Sequence, residues 1–408
     1  MMVEAPRRSD QLSGELEIFL VAAEESGDRL GAALMRALRQ RSTEPLRFSG
    51  VGGREMAAAG LVSLLPMDDF AIIGFSAIPG RLPRIVSHMV RVVRAVLARR
   101  PHALVIIDSP AFTLRVARFV RWFDRSIPII DYVSPSVWAW RAGRAPAMRR
   151  YVDHILALLP FEPDVHRRLG GPPCSYVGHP LIEEVSKLRP NGIEVERRTA
   201  DPPIVLAMPG SRSSEVARLA GIFGDTLSLV AERAGRIEVV VPTVPHLLAQ
   251  VTQATSHWRI KPRIVVEQTE KHAALRVARA ALAKSGTTTL ELAVAGVPMV
   301  AAYKVAPLEA AVIRRLVRVP SYILANLVIG RNVVPEVVQE DCTPERLADT
   351  LAPLLGDTPE RQRQVEAFAT LDAIMEIGSR APAARAADIV LGHLRRGGEA
   401  MAARNANG

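Results

Sequence analysis

Cysteine is nearly absent from this 408-residue chain. Cys174 and Cys342 lie far apart, with neither metal-ligand spacing nor a disulfide framework, and they fit a reducing compartment. Aromatic residues make up only 5%, which counts against a single-stranded nucleic-acid platform, because such platforms stack bases on aromatic rings. The polar stretch Met1–Gly14 lacks the apolar core of a signal peptide and reads as a disordered N-terminus. The longest nearly uncharged apolar run, Leu292–Tyr303, falls short of the ~20 residues a bilayer span needs. A cytoplasmic protein is expected, with any membrane contact peripheral. No G-x-G-x-x-G follows a strand, and Gly50-Val-Gly-Gly53 is too short and lies in the wrong place, so a dehydrogenase is disfavoured.

What the chain does have is basic charge and apolar material. The formal net charge is +10 and 49% of residues are hydrophobic. That balance favours anionic partners: nucleic acid, an acidic membrane surface or phosphorylated substrates. Buried strands are predicted at Glu17–Ala22, Ala103–Asp108, Ile127–Ile130 and His154–Leu159. Leu30, Leu34, Ala37 and Leu38 give 27–40 a helical spacing. A second series runs through Ile204–Met208, Ile237–Val241, Arg263–Glu267, Ala280–Ala283 and Pro298–Tyr303. Strands alternating with helices predict parallel, doubly wound sheets. Pro190-Asn191-Gly192 and Pro202-Pro203 mark residues 191–203 as a linker. The expected domains are thus a Rossmann-like lobe over 15–190, a second over 204–375, and a C-terminal helix with a frayed tail over 376–408, packing on the first lobe or on a partner. Two such lobes would face a cleft, where ligands commonly bind.

The most informative stretch is Asp131-Tyr-Val-Ser-Pro-Ser-Val-Trp-Ala-Trp-Arg141. Ser134, Trp138, Trp140 and Arg141 follow a strand and suggest a binding loop at the carboxyl edge of a parallel sheet, although a Trp-anchored packing turn fits them as well. Asp108 ends another strand as a candidate general base, or else as a helix-capping Asp. Glu24, Ser26, Gly27 and Asp28 occupy the first strand-to-helix turn. In the second half, Gly210, Ser211 and Arg212 form a strand-end turn whose Arg could grip a diphosphate; plain turns also look like this. Ser285, Gly286, Thr287 and Thr288 open a helix and could donate to a diphosphate, with Glu291 one turn on, able to accept two ribose hydroxyls. An ordinary Ser/Thr cap with a capping-box acid is the alternative. His179 could act as an acid or base, or be a satisfied structural histidine. Finally, 71–100 contains no Asp or Glu, and its arginines alternate with apolar residues: Phe75, Ile78, Arg81, Leu82, Arg84 and Ile85. That suits a helix lying on anionic lipid, or one with a single buried face.

Taken in order from Ile18 to Leu351, these motifs resemble lipid-A-disaccharide synthases, glycosyltransferases of the two-Rossmann-lobe GT-B class. Tyr176-Val-Gly-His-Pro180, Phe161-Glu-Pro163 and Ile323-Leu-Ala-Asn326-Leu extend the likeness. The resemblance implies inverting transfer of 2,3-diacylglucosamine from UDP-2,3-diacylglucosamine to the 6-hydroxyl of 2,3-diacylglucosamine 1-phosphate (lipid X). It implies Asp108 as base, Arg212 in catalysis or donor binding, Asn326 near the donor, and Glu24, Ser26 and Gly27 on the acceptor side. It also implies a peripheral place on the cytoplasmic face of the inner membrane, and leaves a homodimer with exchanged C-terminal segments open. Ala111, Thr113 and Asp131 depart from the family pattern, which has Asp, Asn and His there. No D-x-D pair occurs, so no metal is expected, Arg212 and the helix start after Lys284 taking the diphosphate charge; no other cofactor is expected either. Two rivals remain: a UDP-GlcNAc 2-epimerase-like enzyme of the same architecture, and a basic nucleic-acid-binding protein.

Overall fold

The computed structural model describes residues 15–67, 78–306, 309–310, 315 and 319–406, with side chains for all of these but 78–82 and 396–406. The chain divides into two compact units, residues 1–180 with 379–408, and residues 181–378.

Unit one is built on seven strands: β1 (Leu16–Ala22), β2 (Leu46–Val51), β3 (Val62–Ser63), β4 (Ala103–Ile107), β5 (Ile129–Tyr132), β6 (His154–Ala157) and β7 (Cys174–Tyr176). Their order is β3-β2-β1-β4-β5-β6-β7, and every pairing is parallel. A parallel sheet is covered on both faces, so its central strands read as unbroken apolar runs. β1 shows why: Ile18, Leu20 and Ala22 pack with Leu34 and Leu38 of the helix Glu25–Arg41, while Phe19 and Val21 face Val92, Val96 and Val116 on the other side. The long C-terminal helix, Pro382–Ala406, joins the first of these layers through Ala386, Ala387, Val390, Leu391 and Leu394.

Unit two has six strands: β8 (Ile204–Met208), β9 (Glu238–Pro242), β10 (Arg263–Val265), β11 (Ala280–Lys284), β12 (Met299–Tyr303) and β13 (Glu336–Val338). Their order, β10-β9-β8-β11-β12-β13, is again wholly parallel. Counted within each unit the order is 3-2-1-4-5-6, the Rossmann winding, with one further strand in unit one. Strand order reverses between β1 and β4 and between β8 and β11, and at such switch points open α/β sheets bind ligands beyond the strands' carboxyl ends.

The expected linker over 191–203 is corrected by a helix, Gly192–Thr199. Asn191 Oδ1 accepts the Glu194 amide at 3.0 Å and Glu194 returns to the Asn191 amide at 3.0 Å, a capping box. Arg198 then donates to the carbonyls of Leu275, Arg276, Ala295 and Gly296, fastening the helix to unit two. Pro190-Asn191-Gly192 starts a helix there; the division between units falls at Pro180 and Leu181 instead.

Candidate active site

At the β1/β4 switch point, the side chain of Asp108 is fixed from two sides. Ser26 Oγ donates to Oδ2 at 2.8 Å and the Ser109 amide donates to Oδ1 at 2.7 Å. Asp108 and Ser109 both take left-handed backbone, φ 54° and 47°, a conformation that costs non-glycine residues on the order of 1–3 kcal/mol and persists only when the surroundings impose it. Here the Asp108 amide is held by the Tyr132 carbonyl at 2.9 Å, and Thr113 Oγ1 donates to the Asp108 carbonyl at 2.6 Å. Thr113, one of the departures, thus braces the turn; Ala111 is exposed. Gly27 lets the first helix approach, since a Cβ there would sit 3.2 Å from the Ile107 carbonyl. Glu24 is exposed at the N-cap without a side-chain cap bond. Asp28 is structural: buried, it accepts the amides of Gly53, Glu55 and Met56 at 2.7–3.0 Å.

The loop after β5 divides into an inner and an outer part. Two residues named as binding candidates, Ser134 and Trp138, have internal partners. Ser134 is buried with Oγ 2.9 Å from His166 Nε2. Trp138 packs edge-on against Phe161 and donates through Nε1 to Glu162 at 3.3 Å. Glu162 also accepts the Leu159 amide at 3.0 Å, yet burial pushes its carboxyl up to about 7. Asp131 is 2% exposed and its Oδ2 has no hydrogen-bond partner among the described residues. Burial, and then the charges of Asp108 and Glu162, hold its carboxyl well above the usual carboxylate range. Burial likewise pushes His179 down to about 4, so it is neutral near pH 7. Trp140 and Arg141 form the outer part: the Arg141 guanidinium lies 4.3 Å from the Trp140 ring centroid and that of Arg144 lies 5.7 Å away.

At the β8/β11 switch point the turn Pro209–Arg212 closes around Glu215, whose Oε2 accepts the amides of Ser211 at 3.0 Å and Arg212 at 3.3 Å. Gly210 has φ 129°, and a Cβ on it would lie 2.4 Å from the Glu215 carboxylate, so glycine is needed twice over. Lys284, at the end of β11, reaches Glu215 at 3.0 Å and stands 5.4 Å from the Tyr303 ring. Arg212 pairs loosely with Glu215 at 3.6 Å and keeps its side chain 79% exposed. The helix Thr287–Val294 starts at Gly286, and its first amides have no partner within the helix. Thr287 is exposed and Thr288 half-buried. Glu291 holds Lys271 through both carboxylate oxygens, at 2.7 and 2.8 Å. Lys271 was missed in the sequence: it sits on a different helix, Gln268–Val277, and no local spacing links it to Glu291.

Two donor-site candidates in this unit have their polar groups engaged internally. Ser285 spends its hydroxyl on the Tyr322 carbonyl at 2.8 Å and its amide on the Ala302 carbonyl at 3.0 Å. Asn326 is 1% exposed; its amide donates to Ser321 Oγ and the Val334 carbonyl, and its Oδ1 accepts the Val333 and Val334 amides, all at 2.8–3.2 Å. An asparagine has two donors and two acceptor positions, so none remains for a ligand. A cavity of about 580 Å³ bounded by Tyr322, Asn332, Glu336, Asp349 and Arg363 includes none of the site candidates.

Phe75 lies outside the described residues, and for Ile78, Arg81 and Leu82 the description stops at the backbone of the helix Ile78–Arg99. Arg84 is exposed on that helix, whereas Ile85 packs on the core of unit one, a correction to its surface reading. Val86 and Val90 are exposed beside it, and the packed helix Thr113–Phe123 exposes Trp122 and Phe123, with Trp122 stacked on both Phe119 and Phe123. Among the described residues no helix is long and apolar enough to cross a membrane, and no group of His, Cys, Asp or Glu has the arrangement of a metal site.

Solved structures share the fold at low identity. A UDP-GlcNAc 2-epimerase from Neisseria meningitidis bound to UDP-GlcNAc matches with TM-score 0.53 and 13% identity over 94% of this chain and 100% of its own. CalG4, the calicheamicin glycosyltransferase, matches with TM-score 0.56 and 17% identity over 94% and 99%. Sequence relatives are much nearer. A lipid-A-disaccharide synthase from Nitrobacter winogradskyi is 57% identical over 379 residues, 93% of this chain and 96% of its own. One from Rhodospirillum centenum is 42% identical over 379 residues, 92% and 94%. The family model for lipid-A-disaccharide synthetase matches residues 18–390, a range that contains both switch points and every motif around them, and the chain belongs to that family.

Proposed function

We propose that the chain transfers 2,3-diacylglucosamine from UDP-2,3-diacylglucosamine to the 6-hydroxyl of 2,3-diacylglucosamine 1-phosphate. In a single inverting step the acceptor oxygen bonds to the donor anomeric carbon as the bond to UDP breaks. Asp108 takes the hydroxyl proton, and the products are the β-1,6-linked disaccharide 1-phosphate and UDP. The observation that carries this reading is the immobilised Asp108 at the β1/β4 switch point. A base contributes most when it is already oriented toward the proton it removes, and Ser26 and the Ser109 amide hold this carboxylate from two sides.

Unit two takes the donor in this reading. Arg212, Lys284 and the open amides at Gly286, Thr287 and Thr288 offset charge developing on the departing UDP. Glu291, held by Lys271, accepts the ribose hydroxyls. Ser285 and Asn326 shape this site from behind without touching the ligand. Because the substrates are acylated, the enzyme works at a lipid surface, peripherally on the cytoplasmic face of the inner membrane. The basic helix Ile78–Arg99 and the exposed Trp122 and Phe123 supply the mixed cationic and aromatic surface that such contact needs.

The test is UDP release from UDP-2,3-diacylglucosamine in detergent micelles, with and without the acceptor. Release that requires acceptor and yields a disaccharide is expected. Release without acceptor would point to a hydrolase or epimerase instead.

A further inference from the structure

Arg141 and Arg144 form an unusual pair in this molecule. Both guanidiniums approach one face-bearing residue, Trp140, at 4.3 and 5.7 Å from the ring centroid. Several other arginines of unit one find carboxylates: Arg41 with Asp388, Arg47 and Arg99 with Glu17, Arg121 with Asp153. Neither Arg141 nor Arg144 has a carboxylate within salt-bridge distance among the described residues. Arg141 holds left-handed backbone, φ 52°, which a non-glycine residue adopts at a cost. Arg144 is half-buried, and its charge is disfavoured by that burial and then by the nearness of Arg141 and Arg115. The buried Asp131, whose carboxyl burial holds well above the usual carboxylate range, is the weakest of the influences on Arg144.

The place is as informative as the chemistry. Trp140, Arg141 and Arg144 follow β5, which pairs directly with β4, the strand that ends at Asp108. Arg115 lies on the helix Thr113–Phe123 that begins just after Asp108. Ser134 and Trp138 of the same loop are taken up internally, so these arginines are what the loop has left to offer a ligand. Indole faces attract guanidinium ions and hold them flat, with the fork of donors free at the edge. Planar forks bind phosphates through paired hydrogen bonds.

We infer that Arg141 and Arg144, seated on Trp140, form the subsite that binds the phosphate of the acceptor sugar. The inference rests on the proposed transfer reaction and adds to it the means by which a phosphorylated acceptor is chosen over an unphosphorylated one. A phosphate monoester carries close to two negative charges near pH 7, enough to offset the crowding of like charges. The donor's diphosphate is the other phosphate in the reaction, and it has cations of its own in unit two, Arg212 and Lys284.

Arg141→Gln, Arg144→Gln and Arg141→Lys are compared with the unaltered enzyme on two acceptors, 2,3-diacylglucosamine 1-phosphate and the same sugar without its phosphate. Arg141 is exposed, so its variants test the idea even where Arg144→Gln does not fold. The preference for the phosphorylated acceptor, read as a ratio of kcat/KM values, is expected to fall at least about tenfold in the Gln variants, mainly through acceptor KM, and less in Arg141→Lys. Equal losses on both acceptors, or an unchanged preference, would overturn the inference while leaving the transferase reading intact. A rise confined to donor KM would assign the arginines to the donor diphosphate and overturn it too. Absence of acceptor-dependent UDP release in the unaltered enzyme would remove the underlying reading and this inference together.

Discussion

Two carboxyl groups of unit one each take two donors and differ in how deeply they are buried. Asp108 is half-buried, and a hydroxyl and an amide donate to its carboxylate from two sides. Asp108→Ala should lower kcat at least ~10²-fold, the lower range for removal of a general base, with the donor KM nearly unchanged; near-normal turnover would take Asp108 out of the mechanism. Glu162 also has two donors, yet burial outweighs them and pushes its carboxyl up to about 7 from an ordinary 4.5. In the unfolded chain it ionises near 4.5. Between these values the folded protein holds a proton that the unfolded chain has lost. The stabilisation is therefore complete below about pH 4.5 and is lost as pH rises through about 7, a change on the order of 3 kcal/mol. Glu162→Gln keeps an acceptor for the Leu159 amide and cannot ionise. Thermal melts of the two proteins across pH 5–7.5 should show a steeper decline for the unaltered chain; parallel curves would mean that Glu162 titrates normally.

The elements that bear the site were legible because each ends a buried apolar strand. β1, β4, β8, β11 and β12 are sequence runs with no competing reading, and their flanking Gly, Ser and Asp residues mark where the chain leaves the sheet. β2, β3, β7 and β13 were not legible: Val62–Ser63 is two exposed residues, and Cys174–Tyr176 and Glu336–Val338 are short and mixed in polarity. The site was visible as motifs but not as contacts. Asn326 was placed near the donor by the family resemblance, whereas its side chain satisfies four backbone and hydroxyl groups of a tight loop. Lys271 could not be seen at all, since its partner Glu291 is 20 residues away on another helix. That pair makes an element-scale prediction. Lys271 and Glu291 have side chains only 23% and 13% exposed, and removing one member of a buried pair leaves the other charge uncompensated. Lys271→Met should raise the donor KM by about tenfold, equivalent to ~1.4 kcal/mol, while the acceptor KM stays put. If both substrates were affected alike, the lysine would be a general support of the fold and not a holder of the carboxylate proposed to bind the ribose.

At the scale of the molecule, the C-terminal helix belongs to unit one, where it completes a core layer. Val390 and Leu394 are almost wholly buried against β1, β4 and the helix Glu25–Arg41. The exposed ion pair between Arg41 and Asp388, at 2.6 Å, lies at the same junction. Surface pairs of this kind contribute roughly 0–1 kcal/mol, while trimming one buried leucine to alanine costs ~2–5 kcal/mol. Apolar packing must therefore dominate the attachment, and Leu394→Ala should lower stability far more than Asp388→Asn in paired denaturant melts. Removing the chain from Ser379 onward carries the argument further. Unit one would lose one layer over its central strands, while unit two, residues 181–378, would keep all of its own strands and core. Limited proteolysis of the truncated protein should then leave a protected fragment starting near Leu181, with the first 180 residues digested. UDP should protect that fragment further, because a ligand that binds the folded form stabilises it by mass action, ~2.7 kcal/mol at a hundredfold excess over Kd. Equal resistance of both units after truncation would show that unit one folds without its C-terminal helix.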